Sequence, residues 1–486
     1  MGFLCLLLSD IEISTLDPWG EIQRLLSGII TPDFWVLYEF RTAFLNTLIF
    51  ALCGISLSVL FGTFLAFFFK YHIVRLFCAF IRAIHEIFWA FILLPIVGLN
   101  PVCGVLAIAI PYTGIFAKVY SEILQEADQK PLKALPTHTG PLGKFFYGIF
   151  PVIIEDVKHY TSYRFECALR SSAVLGFIGL PTLGFHLETA FRESLYSEAA
   201  AILIIFYLLI ASLKYWLKAR LVPIYVIAAF LLISTETSFS WDNVTRFFTY
   251  DILPWPMRRE GFLDGSYAIA FPIQQIWQWT WDILKSEAIP GIWHTVILTQ
   301  IVLVGTGLFT LIGFPIGSQH FCMPAICRIV RYLLIIIRTT PEYIMAYVFV
   351  QLLGPSMLPA ILAITFHNGG ILSHLMVKTA DRVKLRIDAS KKRMNRYTYE
   401  ILPRVYGQFL AFLFYRWEVM MRESAILGIL GIFTLGFLID SAIADDKMDK
   451  AILLILITAV LNIGIDTISQ LVRKRLKISA KLETSY

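Results

Sequence analysis

The sequence predicts an all-α, polytopic membrane protein built from two copies of one unit. Three observations carry that reading. First, hydrophobic residues make up 57% of the 486 positions and charged residues only 16%, against about 45–50% and about 25% in soluble domains. Mean hydropathy is +0.71, more apolar side chain than a soluble interior of this size would hide. Second, charge-free runs recur at the length needed to cross a hydrocarbon core about 30 Å thick, roughly 20 residues each. Third, the second half of the chain repeats the first. Together these exclude a soluble globular enzyme, a disordered chain and a nucleic-acid binder. The net charge of +6 gathers in a few loops rather than on one basic face.

Taken in order, the run 43–69 is the cleanest span, with no charge at all. The run 87–117 is also uncharged but too long for one crossing. Gly98, Leu99, Asn100 and Pro101 break it into two helices joined by a tight external turn. Further spans are expected near 164–182, 196–214, 221–237, 292–318, 338–354, 357–377, 416–436 and 450–470, giving eleven. Residues 2–8 are too short to cross and lack the basic start of a signal peptide. They are the stub of a twelfth helix or an interfacial anchor.

Lys and Arg in short loops set the orientation. Segment 378–404 holds nine of them against three acids, Lys391, Lys392 and Arg393 included. The tail after Arg473 is basic, and Lys214, Lys218 and Arg220 mark another basic turn. These, with 121–151, are placed in the cytoplasm. Segment 237–290 holds four Lys/Arg, six acids and Trp241, Trp255, Trp277, Trp279 and Trp281; it is placed outside, its Trp residues near the interface.

The repeat is explicit. Residues 163–190 align without gaps on 415–442, and half of the 28 positions are identical. The matches include Tyr163/Tyr415, Arg164/Arg416, Glu166/Glu418, Arg170/Arg422, Gly176/Gly428, Gly179/Gly431 and Gly184/Gly436. Upstream, Arg82 and Glu86 align on Arg338 and Glu342, Gly98 and Gly114 on Gly354 and Gly370, and Gly54 and Gly62 on Gly305 and Gly313. The expected repeats are 1–220 (core helices 43–217, polar segment 121–151) and 221–486 (extra helix 221–237, external segment 237–290, core helices 292–470, polar segment 378–404). Six crossings separate 43–69 from 292–318, provided that 221–237 spans, so the repeats are expected to be parallel. The repeated glycines read as places where helices approach closely.

Each copy also carries a polar segment of about the same length between matching spans, a size that loop-length priors call unusual. The first ends in Tyr147, Gly148, Ile149, Phe150 and Pro151, the second in Tyr399, Glu400, Ile401, Leu402 and Pro403. The Tyr-Arg-aromatic-Glu helix follows each. A paired occurrence points to two docking handles on one face.

This order of features resembles the membrane permease of bacterial type I ABC importers, within them the phosphonate importer permease. The order is a long helix, Arg-x-x-x-Glu, a Gly-bounded hairpin, a polar segment ending near Pro, then Tyr-Arg-Phe-Glu-x-x-x-Arg and a Gly. The resemblance covers nearly the whole chain, twice, and implies a tandem fusion of two permease units. It implies that the polar segments couple to an ATPase through Glu126, Ala127, Gly140 and Pro151 in the first copy and Asp388, Ala389, Ser390 and Pro403 in the second. It also implies two cytoplasmic ATPase subunits, a periplasmic or extracytoplasmic solute-binding protein, membrane lipid around the chain, and a place in the bacterial cytoplasmic membrane. The cargo it implies is a small, anionic, phosphonate-like solute. The chain departs from the family at His138 and Ser390, where a Gly stands 13 residues before the Pro, and in the turns 179–184 and 431–436, where bulky residues replace glycines.

Charged residues inside spans usually face a bundle interior or a water-filled cavity. Glu166/Arg170 and Glu418/Arg422 are spaced i, i+4 with the acid first, the better order on a helix. They are either internal pairs or, through the Arg170 and Arg422 forks, contacts for an anionic cargo. Arg82/Glu86 and Arg338/Glu342 read as local pairs at a helix start. No catalytic constellation and no cofactor are expected. His85, His186 and His367 show no ligand spacing, and the seven cysteines form no C-x-x-C pair. A phosphate-binding G-x-x-x-x-G-K-[ST] is absent, since Gly140, Gly143 and Lys144 have the wrong spacing; ATP hydrolysis is left to partners. The alternative reading is an ion-gradient-driven secondary transporter of parallel repeats.

Overall fold

The computed structural model describes residues 2–13, 17–136, 138–233, 240–258, 272–386, 390 and 392–475. Parts of the external segment, the tail from 476, and Asp388, Ala389 and Lys391 lie outside the described residues. No strand occurs among the described residues. The chain divides into two compact units, 27–248, and 249–486 with 1–26.

In the first unit a 31-residue helix, α1 (Leu37–Phe67), is followed by α2 (His72–Ala83) and α3 (Glu86–Val97), which meet at 91°. Gly98, at φ +82°, turns the chain into α4 (Pro101–Glu126). A side chain with a Cβ is strained at that φ. The Asn100 side chain caps α4, accepting from the amides of Val102 and Cys103 at 2.8 and 3.2 Å, as an N-cap residue should. Then come α5 (Phe150–Val174), α6 (Leu183–Arg192), α7 (Tyr196–Trp216) and the short α8 (Val222–Leu232). The run that carries α5 bends by 53° into α6.

The second unit repeats the scheme. It contains α9 (Ile289–Gly317), α10 (Pro324–Thr339), α11 (Glu342–Leu353), α12 (Met357–Arg382), α13 (Leu402–Ile426), α14 (Leu435–Ala444) and α15 (Met448–Arg475). Helices α10 and α11 meet at 93°, and the run that carries α13 bends by 44° into α14. Gly354 takes φ +87° where Gly98 does, and Ser356 caps α12 at 3.3 Å where Asn100 caps α4.

Ten of the eleven expected spans are helical over most of their length. Six lie in unbroken helices long and apolar enough to cross a membrane, and four are arms of the bent pairs. The eleventh, α8, has 11 residues and rises about 16 Å at 1.5 Å per residue, about half of a bilayer core; 234–239, which follow it, lie outside the described residues. It packs on α1 within the first unit, so the packing boundary lies beyond residue 220. The five-residue helix Gly2–Leu6 packs on α9 in the second unit.

Close approach of helices explains most of the glycines. A Cβ at Gly54 or Gly62 on α1 would meet Ile108 or Phe116 of α4, and one at Gly305 or Gly313 on α9 would meet Thr365 or Ser373 of α12. At the corners the fit is tighter. A Cβ at Gly184 would run into the Ala173 carbonyl, and one at Gly436 into the Ala425 carbonyl. Each corner is also pinned by a buried threonine. Thr47 accepts from the first amide of α6 at 3.0 Å, and Thr295 from the first amide of α14 at 3.0 Å. These hydroxyls satisfy helix-end donors that a bilayer offers no water to satisfy.

Gly184→Ala and Gly436→Ala should each lower stability by about 1–3 kcal/mol or more through overpacking. Gly140→Ala should not, since no atom lies within 4 Å of the added Cβ. Heating the detergent-solubilised protein and following the surviving monodisperse fraction checks this; three equal midpoints would show that the corners have slack.

Candidate functional site

The polar residues of each unit converge on one place, where α5 or α13 meets α4 or α12 and the start of α3 or α11. In the first unit Glu86 opens α3 and accepts a hydrogen bond from the Ser171 hydroxyl of α5 at 2.6 Å. The Tyr112 hydroxyl of α4 lies 3.1 Å from the same Ser171 oxygen. Arg164 donates through Nε to the Tyr160 hydroxyl at 2.8 Å. Its guanidinium lies 5.9, 5.3 and 5.6 Å from the ring centroids of Tyr112, Tyr160 and Tyr163. A cation held over aromatic faces is stabilised without losing its charge.

In the second unit the same positions carry different chemistry. With the offsets of the repeat, Tyr112 becomes Asn368, Tyr160 becomes Phe412 and Ser171 becomes Glu423. Arg416, the counterpart of Arg164, donates through Nε to Asn368 at 2.7 Å and through its fork to Glu423 at 3.2 Å. The Asn368 amide donates to the other Glu423 oxygen at 2.7 Å. Phe412 offers no hydroxyl, so Arg416 turns to a carboxylate instead of a tyrosine cage. Phenols line the arginine of the first cluster, and Glu423 pairs with that of the second.

Each cluster sets one glutamate beside one imidazole, but the histidine arrives from different places. His85 Nε2 lies 3.5 Å from Glu86, and His367 Nε2 lies 3.7 Å from Glu342. The counterpart of His85 in the second copy is Pro341, and that of His367 in the first copy is Pro111. His85 comes from the bend before α3, where its Nδ1 accepts from the Ile87 amide at 3.2 Å. His367 comes from α12, its Nδ1 2.8 Å from the Thr340 carbonyl. A carbonyl only accepts, so that Nδ1 is the donor and Nε2 is turned to Glu342. Glu342, His367 and Glu423 bring one ligand atom each within 4.8 Å of one another, although Asn368 and Arg416 already donate to Glu423.

The sequence singled out further charged residues. The Arg-x-x-x-Glu motif straddles the bend: Arg82 and Arg338 lie in the last turns of α2 and α10, Glu86 and Glu342 in the first turns of α3 and α11. Each charge complements its own helix end. Glu166 and Arg170 are half-buried on α5; on α13 Glu418 is buried and Arg422 half-buried. The Arg170 guanidinium lies 3.3 Å from Cys167 Sγ. What sequence reasoning missed is the role of Arg164, Arg416, Tyr112, Asn368, Ser171 and the two histidines. The exchange of His and Pro between aligned positions was the available signal.

The polar segments form elbows. Glu126 ends α4 and Ala127 is its C-cap; Gly140 caps the short helix Pro141–Gly143. Pro151 and Pro403 stand in the first turns of α5 and α13, where a missing amide costs nothing. A wide π-type turn precedes each, Lys144–Ile149 and Arg396–Ile401. The second elbow is braced by Arg396, which donates to the carbonyls of Ser390 at 3.2 Å and His320 at 2.8 Å. Asp388 and Ala389 lie outside the described residues. Both elbows expose large apolar side chains at matching positions: Leu142 is 74% exposed and Met394 71%, Tyr147 77% and Tyr399 82%.

If the glutamate–imidazole contact matters and its origin does not, His85→Ala should lower thermal stability by about 1–3 kcal/mol, and Pro111→His in that background should restore part of it. The midpoint in detergent reports this. A double variant no more stable than His85→Ala would show that the two histidines are unrelated.

No family model matches the chain. Similarity to curated proteins runs along its whole length. The phosphate-import permease protein PhnE of Mycolicibacterium smegmatis is 24% identical over 504 aligned residues, covering 96% of this chain and 91% of that protein. The phosphite transport system permease protein PtxC of Stutzerimonas stutzeri is 25% identical over 195 residues, 38% of this chain but 71% of its own length. The putative cryptic phosphonate transport system permease protein PhnE2 of Escherichia coli is 27% identical over 111 residues, 23% of this chain and 91% of that protein. A stretch smaller than one unit here thus accounts for most of a shorter permease. With the duplicated motif and the duplicated bends, this chain is a two-unit, multi-pass membrane protein similar over nearly its whole length to a phosphate-import permease and over shorter stretches to phosphite and phosphonate transport permeases.

Proposed function

We propose that the chain supplies both halves of the permease of an ATP-driven importer in the bacterial cytoplasmic membrane. Two units in one polypeptide, the same way up, provide both halves of the pathway. Two cytoplasmic ATPase subunits seat on the elbows at 121–151 and 378–404, and a solute-binding protein delivers the cargo from outside. Closure of the ATPases on ATP presses the elbows together and rocks the units between outward- and inward-open states. The observation that carries this reading is the matched pair of exposed side chains, Leu142/Tyr147 and Met394/Tyr399. Large apolar groups on otherwise polar segments mark a partner surface, and their recurrence 252 residues apart fits two copies of one partner.

The relatives are named for phosphate, phosphite and phosphonate, and a tetrahedral phosphorus oxyanion is the cargo proposed here. Arg164 supports it, because a guanidinium fork matches the oxygens of a tetrahedral anion and this one lies among three phenol rings inside the first unit. Arg170 and Arg422 are candidates for the same task.

Reconstitution in vesicles with the cognate ATPase and binding protein tests the function. Uptake of radiolabelled phosphate, phosphite or methylphosphonate should require ATP and persist when ionophores collapse the proton gradient. Uptake without ATP that disappears with the gradient would favour a secondary transporter. Tyr147→Ala with Tyr399→Ala should weaken ATPase co-purification by about tenfold or more, the loss expected when aromatic anchors are cut from an interface. Unchanged co-purification would place the ATPase elsewhere.

A further inference from the structure

An apolar groove of about 640 Å³ runs between α1, α7 and α8 in the first unit. Phe44, Leu48 and Leu52 of α1 form one wall, Ile205 to Trp216 of α7 another, and Tyr225 of α8 closes it. The stretch 205–216 rises about 16 Å, about the depth of one leaflet of a hydrocarbon core about 30 Å thick. At one end the rings of Trp216 and Tyr225 meet at 5.8 Å, edge to face, and Trp216 Nε1 donates to the Ser212 hydroxyl at 3.1 Å. Amphipathic rings with a polar edge belong at the membrane–water boundary. Just beyond them the α7–α8 turn carries Lys218 and Arg220, both exposed. No carboxylate pairs with either of them among the described residues. Two exposed cations therefore sit in the turn that joins α7 to α8 at the Trp216–Tyr225 end of the slot.

We propose that this groove is a binding site for one anionic glycerophospholipid of the cytoplasmic leaflet. The acyl chain fills the slot between α1 and α7, and the headgroup phosphate is held by Lys218 and Arg220. Basic pockets at the cytoplasmic ends of membrane helices hold anionic headgroups in this way. The charge of the turn selects the headgroup and the shape of the slot requires the tail. A bound lipid would fill the space between α8 and the α1–α7 pair, and so fix the link between the first unit and the chain that follows. The proposal rests on the membrane reading alone and is independent of what the protein transports.

The test uses the full chain in mild non-ionic detergent, titrated with phosphatidylglycerol and phosphatidylethanolamine and read by native mass spectrometry. Phosphatidylglycerol should be retained in preference to phosphatidylethanolamine. Lys218→Gln and Arg220→Gln should each weaken retention about fivefold, and the double variant about twentyfold. Leu208→Trp, an exposed position on the groove wall, should reduce retention by obstructing the slot, while Lys214→Gln on the opposite face of α7 and Lys158→Gln outside the groove should not. Equal retention of the two lipids, or full retention by the double variant, would overturn the proposal. Loss in the double variant without loss in Leu208→Trp would show a site for a tail-less anion, and would overturn it too. Melting curves of each variant separate these results from misfolding.

Discussion

A charge within the apolar interior of a membrane bundle must be answered by its neighbours, since no water is there to do it. That constraint falls on Arg164 and Arg416, which occupy the same place in two copies of one helix. Around each, neighbouring helices bring groups that make the charge tolerable, phenols among them in the first unit and an amide and a carboxylate in the second. The bends before α3 and α11 follow from the same need. They carry Glu86 and Glu342 to the ends of short helices, where the carboxylates face inward and gain from the helix amides. The corners pinned by Thr47 and Thr295 then hold α6 and α14 against the bundle.

Duplication permits this divergence. A symmetric pair of identical clusters would make both halves chemically alike. Here Ser171 against Glu423 and Tyr112 against Asn368 change what surrounds the arginine while the scaffold stays fixed. The glutamate–imidazole contact survives in both, although His85 and His367 reach it from different elements. The contact has been kept while its donor changed position. The elbows behave in the opposite way: their exposed residues match closely, as expected of surfaces that meet two copies of one partner.

Much of this was legible in the sequence. The helix positions were, because hydropathy in a bilayer is nearly a direct reading of depth. The repeat was, because glycines where helices touch tolerate no side chain. The sites were less so. The helices are apolar on most faces, so the hydrophobic pattern does not fix how each is rotated about its axis, and the partners of Arg164 and Arg416 could not be read from spacing. The spacing of Arg82 and Glu86 did not reveal that the chain turns through 91° between them. Pro341 immediately before Glu342 was the hint of that break. Within 221–237 the described residues hold the 11-residue α8, which packs on α1.

The account depends most on the two elbows facing the same side of the bilayer. Tyr147→Cys and Tyr399→Cys, probed with a membrane-impermeant maleimide, test this directly. Both positions are exposed, so labelling reports sidedness rather than burial. Both cysteines should react in inverted vesicles and neither in intact spheroplasts. Reaction of one from outside and the other from inside would contradict the parallel arrangement and, with it, the coupling of this chain to a pair of identical motors.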